Sequence, residues 1–163
     1  MKLLFKLIPK KYHDTVFVRL FGFTKVPFLF FMRPSVVEMN KQKCVIKIPF
    51  KKRNKNHLNS MYFGVMCAAA DLTGGYMAMK QIQKSKKKIQ LSFKDFNADF
   101  KKRAVGDTYF INEQGKEISE FVKKVAGSDE RMNMPVRIKA ISDDSGDEVV
   151  AEFVLTLSLK NKG

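Results

Sequence analysis

The chain has 163 residues, of which 45% are hydrophobic and 29% charged, and it carries a formal net charge of +15. That is enough chain for one domain with a real core, and the composition fits a soluble globular protein with no apolar run long enough to span a bilayer. Two cysteines, Cys44 and Cys67, exclude a disulfide framework, and two histidines, His13 and His57, without a CxxC pair leave no metal site to expect.

The charge is unevenly spread. Residues 1–103 hold 23 Lys/Arg against 5 Asp/Glu, whereas residues 104–163 hold 8 against 11. A basic first part points to an anionic partner, such as membrane headgroups or the phosphates of coenzyme A, or to a solvated lysine-rich face. No nucleic-acid motif accompanies the charge, so no nucleic-acid partner is expected. The cysteine usage reads as a reducing, cytoplasmic setting.

Residues 2–8 and 13–22 read as short helices separated by Pro9. Lys6, Lys10 and Lys11 interrupt the apolar run that a signal peptide would need. Phe17, Val18, Leu20, Phe21 and Phe23 are interleaved with Arg19 and Lys25. That segment either packs on the domain or lies on a membrane surface. Residues 1–26 are therefore expected to be a helical extension, and residues 27–163 the main domain.

Pro27 opens an apolar turn or short helix that leads into a strand. "KCVIKIPF" alternates and reads as a second strand, paired to the first through a turn at Asn40–Lys41. A basic loop, "KKRNKNHLNS", follows. Ser60 is a candidate N-cap for a helix over 60–82 that is apolar on nearly all sides, hence buried, with Gly74–Gly75 as a point of bending. Strands are expected at Ile89–Phe100 and in "GDTYFINEQG". Ile118, Phe121, Val122 and Val125 have helical spacing, stopped by Gly127. Two final strands flank the turn "SDDSGD". One long helix among antiparallel strands makes an α+β domain.

From Asn59 to Met79 the only charged residue is Asp71. Its neighbours at helical spacing are Gly64, Cys67, Ala68, Gly74 and Gly75, all small. A ligand or a partner backbone can therefore approach this carboxylate closely, and desolvation there raises its basicity. The alternative is a purely structural carboxylate, paired with an arginine or hydrogen-bonded to backbone. At the start of the helix, unpaired backbone N–H groups and the helix dipole favour developing negative charge, and Asn56 and Asn59 add amide donors.

The spacing Asn56-x5-Tyr62-Phe63-Gly64-x6-Asp71 resembles the Asn, His-Gly-Gly, Asp pattern of hotdog-fold thioesterases. The likeness is to the PaaI-like group and its related domain-of-unknown-function branch, over roughly residues 27–160. The sequence departs from the pattern where Tyr62 stands for the family's histidine and Phe63 for its first glycine.

The resemblance implies a long helix wrapped by an antiparallel sheet, a homodimer or dimer of dimers, and an acyl-CoA or other acyl thioester as substrate. Coenzyme A would enter only as part of that substrate, with no separate cofactor. Asp71 would act as base or nucleophile, the Phe63 and Gly64 N–H groups would polarise the carbonyl, and Asn56 would orient the carbonyl or water. Asn59, Ser60, Tyr62, Met66 and Arg53 would contact substrate. Leu72, Tyr76 and Met77 join Met66 as candidates for an acyl groove. The runner-up is a non-catalytic acyl- or lipid-binding protein of the same fold. A hydratase lacks its histidine, and a serine hydrolase lacks a GxSxG motif.

Overall fold

The computed structural model describes residues 8–163, so the helix expected at residues 2–8 falls outside it apart from Ile8. Among the described residues a 3-10 turn at Lys10–Tyr12 leads into two α-helices, α1 (His13–Lys25) and α2 (Pro27–Met32). Pro27 opens α2, where a missing N–H costs nothing. The two form a tight hairpin: a Cβ on Gly22 would lie 2.7 Å from the Phe30 backbone nitrogen, so only glycine permits this contact.

The remaining elements are β1 (Ser35–Met39), β2 (Cys44–Ile48), α3 (Phe63–Ser85), β3 (Ile89–Phe100), β4 (Thr108–Asn112), α4 (Gly115–Ala126), β5 (Arg131–Ser142) and β6 (Val149–Asn161). The strands form one antiparallel sheet in the order β1-β2-β4-β5-β6-β3. α3 lies across it and touches β2 through β6, while α4 packs on α3 with Ile118, Val122 and Val125 buried. A helix apolar on most of its circumference has no other way to leave water. The sheet wrapped on a single long helix is the α+β hotdog arrangement.

The helix boundary differs from the expected one. α3 starts at Phe63 with Tyr62 as N-cap, and Ser60 does not cap it. The reason lies upstream. The Met61 N–H donates to the Ala104 carbonyl and the Tyr62 N–H to the Asn54 carbonyl, both at 2.8 Å, and Lys55 bridges Met61. These bonds hold the chain extended until Tyr62. The helix also runs unbroken through Gly74–Gly75. There the absent side chains admit β5 and β3: a Cβ on Gly74 would come within 3.2 Å of Val136 Cγ1, and one on Gly75 within 3.5 Å of Phe93.

A polar clasp joins α1 to α3. The Tyr76 hydroxyl donates to Asp14 Oδ1 at 2.5 Å, and Lys80 Nζ approaches the same oxygen at 2.6 Å. Thr15 Oγ1 accepts from the Val36 N–H at 2.9 Å, and Arg19 Nε donates to the Pro34 carbonyl at 2.8 Å, which fixes α1 to β1. Burial works to raise the Asp14 pKa, but donation from Lys80 and Tyr76 and the Lys80 charge outweigh it, and the net direction is down.

A lowered carboxylate contributes stability above its unfolded pKa and loses it as pH falls through its folded one. Asp14→Asn should cost about 1.5–3 kcal/mol at neutral pH, the range for hydrogen bonds to a charged group. The difference from wild type should shrink on acidification below the ordinary carboxylate range. Denaturant melts at a series of pH values measure both.

Candidate active site

An apolar cavity of about 370 Å³ runs along one face of α3. α3 contributes Asp71, Leu72, Gly75, Tyr76, Met79 and Ile82. The facing walls come from Phe17, Phe21, Val26 and Leu29 of the α1–α2 hairpin and from Ile89, Leu91 and Phe93 of β3. From Asp71 to Ile82 the helix rises about 16 Å. The cavity is thus a groove with a carboxylate at one end, and Asp71 is the only charged residue lining it among the described residues.

Asp71 is open to solvent in the single chain, and its carboxylate makes no ion pair or hydrogen bond among the described residues. The apolar walls around it nevertheless displace water, and that desolvation pushes its pKa up. An accessible but poorly solvated carboxylate is a stronger base than an ordinary one.

The mouth of α3 is built differently. Asn56 Oδ1 accepts from the Leu58 N–H at 2.9 Å and the Ser60 N–H at 3.1 Å, and its Nδ2 donates to Ser60 Oγ at 3.0 Å. Asn59 takes a left-handed backbone, φ 54°, a conformation that Asn tolerates better than most side chains. Asn56, Asn59 and Ser60 therefore form a closed turn that delivers the chain to Tyr62.

The first intrahelical bond runs from the Met66 N–H to the Tyr62 carbonyl, so the N–H groups of Phe63, Gly64 and Val65 precede the helical ladder. No side chain caps them. The Tyr62 ring lies over Gly64: a Cβ there would be 2.6 Å from Tyr62 Cε1. Phe63 is exposed, 5.0 Å between ring centroids from Tyr62 and 6.2 Å from Phe100.

Of the other residues singled out from sequence, Met66 is buried in the core. Arg53 lies with its guanidinium over the Phe31 ring, 5.6 Å from the centroid. Leu72 and Tyr76 line the groove, whereas Met77 is buried in the core and does not.

The structure does not bring the mouth and Asp71 together within one chain. Phe63 and Asp71 are eight residues apart, about 12 Å along the axis, further than an aspartate side chain reaches. The walls from Phe17, Phe21, Val26 and Leu29 were not assigned to the groove from sequence. The apolar spacing of that segment was a visible signal, but what it packs against was not. Asn54 was also missed. It is fully buried, its Nδ2 donates to the Met32 and Pro49 carbonyls at 3.0 and 2.9 Å, and it ties α2 to the loop before α3.

Known proteins share the fold. Among solved structures, a protein described as a probable thioesterase from Pseudomonas aeruginosa superposes with a TM-score of 0.75 at 20% identity, covering 90% of this chain and 95% of that one. A protein of unknown function from Chlorobaculum tepidum gives 0.77 at 12% identity, over 90% and 93%. A thioesterase from Haemophilus influenzae gives 0.66 at 13% identity, over 89% and 88%. At these identities the likeness is one of fold, that of the hotdog thioesterases. No curated protein sequence matches the chain. The family model described as Domain of unknown function (DUF4442) matches residues 14–159, and the chain belongs to that family.

A raised carboxylate destabilises the folded state at neutral pH: its stability contribution is full below the unfolded pKa and is lost as pH rises through the folded one. Asp71→Asn should therefore raise the melting temperature at pH 7. The gain should vanish once the pH drops below the ordinary aspartate range, as differential scanning calorimetry at both pH values would register.

Proposed function

We propose that the protein hydrolyses acyl thioesters, with acyl-CoA as the substrate class. The observation that carries this reading is an unpaired carboxylate, Asp71, at the end of an otherwise apolar groove. The groove takes the acyl chain and excludes water from it. The thioester carbonyl lies against the N–H groups of Phe63 and Gly64, where the helix dipole favours the developing oxyanion. Water adds to the carbonyl carbon as Asp71 takes its proton. The C–S bond then breaks, and the thiol leaves with that proton. Direct attack by Asp71, followed by hydrolysis of the anhydride, uses the same geometry.

The axial distance between Asp71 and the helix mouth favours a site shared by two copies. β3 is a 12-residue edge strand whose outer side is unpaired among the described residues, with Phe96 and Phe100 exposed along it. Such an edge invites pairing with another chain. A homodimer joined there brings one copy's Asp71 toward the other's helix mouth, whether or not dimers pair further.

Lys51, Lys52 and Lys55 lie just before the turn that leads to that mouth and suit the phosphates of coenzyme A, which enters as part of the substrate. Burial pushes the Cys44 thiol up to about 12, which removes it as a competing nucleophile at neutral pH. Free Cys44 and Cys67 suit a reducing, cytoplasmic setting.

A second reading, a non-catalytic acyl carrier, draws on the Tyr62 ring that covers Gly64 at the mouth. Thiol release from acyl-CoAs of graded chain length separates the two. Hydrolysis predicts turnover that Asp71→Asn lowers by about 10²-fold or more, the usual scale of general-base catalysis. It also predicts partial recovery when Asp71→Asn is mixed with Gly64→Val, since each mixed dimer then keeps one intact site. Saturable acyl-CoA binding without thiol release would instead support the carrier.

A further inference from the structure

We propose that the bend of the α1–α2 hairpin docks on the surface of an anionic phospholipid bilayer, beside the opening of the groove. Every residue from Phe23 to Phe28 is exposed. Phe23, Phe28 and Phe31 leave 65%, 43% and 47% of their surface in water, which is unusual for three phenylalanines within nine positions. Their rings are held together rather than scattered. Phe23 meets Phe30 edge-on at 5.3 Å, and Phe28 stacks on Phe31 at 6.4 Å.

Cations surround these rings. Arg33 lies over Phe30 at 4.8 Å, Arg53 over Phe31 at 5.6 Å, and Lys25 sits at the bend. None of the three cations takes part in an ion pair among the described residues. Between Thr15 and Lys55 the one acidic residue is Glu38, and Lys43 approaches it at 3.8 Å.

Phenylalanines ringed by unpaired arginine and lysine match the bilayer interface. The rings enter the acyl boundary while the cations stay with anionic headgroups. A second copy of the chain fits poorly. A two-fold contact brings the same patch of each copy together and sets Lys25, Arg33 and Arg53 against themselves. Val26 gives the location its use, because it is exposed at the bend and also lines the groove. A docked hairpin therefore presents the groove to amphiphiles dissolved in the membrane. Docking is independent of whether the groove hydrolyses anything.

The test is vesicle flotation with the full chain and no substrate. Vesicles of phosphatidylcholine containing phosphatidylglycerol are compared with phosphatidylcholine alone. The wild type should float with the anionic vesicles, weakly with the neutral ones, and less as salt rises. Phe23→Ser/Phe28→Ser/Phe31→Ser should lose at least about tenfold in partitioning. Lys25→Gln/Arg33→Gln, which keeps all the phenylalanines, should lose about fivefold per cation removed. Lys123→Gln/Lys124→Gln on α4 should bind like wild type.

Three results would each overturn the proposal. One is failure of the wild type to bind anionic vesicles. Another is an equal loss in the α4 control, which would mean diffuse attraction. The third is a phenylalanine variant that changes the sedimentation of the chain without vesicles, which would mean that a second copy covers the patch.

Discussion

Everything in this molecule follows from the need to keep α3 out of water. Over its first two-thirds the helix carries a single charge, and most of its side chains are apolar or absent. A flat sheet covers only one side of such a cylinder, so the strands curl around it while α4 closes a second side. The hairpin of α1 and α2 covers what remains, and it does so incompletely. The groove is the gap in that cover, and Asp71 stands where the gap begins. The candidate site is thus a local failure of burial that the rest of the fold leaves open.

The same gap accounts for the character of the carboxylate. Asp71 is reachable by water, yet apolar walls stand on several sides of it and no cation among the described residues pairs with it. A carboxylate kept only for stability would be expected to have the partner that Asp14 has, with Tyr76 and Lys80 converging on one oxygen. The two aspartates shift in opposite directions for this reason: one is paired, the other only desolvated. Stability given up at such a position is common where activity needs an unsatisfied group.

Much of the fold was legible in the sequence because its signals are local. Alternation marked β2 and β3, the turn "SDDSGD" marked β5 and β6 on either side of it, the nearly charge-free run marked α3, and the spacing of Ile118, Val122 and Val125 marked α4. The start of α3 was misjudged by three residues, because hydrogen bonds from Met61 and Tyr62 to distant carbonyls override what Ser60 prefers. The small neighbours of Asp71 could be read from helical spacing alone. The wall of the groove could not. Phe17 and Tyr76 are far apart in sequence, and nothing in either segment names the other. The clasp of Asp14 with Tyr76 and Lys80 was invisible for the same reason.

The clasp has an evolutionary consequence. Asp71 and the helix mouth belong to α3, which the sheet fixes, whereas the outer wall of the groove belongs to a separate hairpin, held by Val18 and Met32 in the core and by the polar contacts of Asp14 and Arg19. Substitutions at Phe17, Phe21 or Leu29 can lengthen, narrow or tilt that wall without disturbing Asp71 or the mouth of the helix. Ligand range and chemistry are then separable traits, and relatives that keep the acid are free to diverge in what they accept by changing only their first thirty residues.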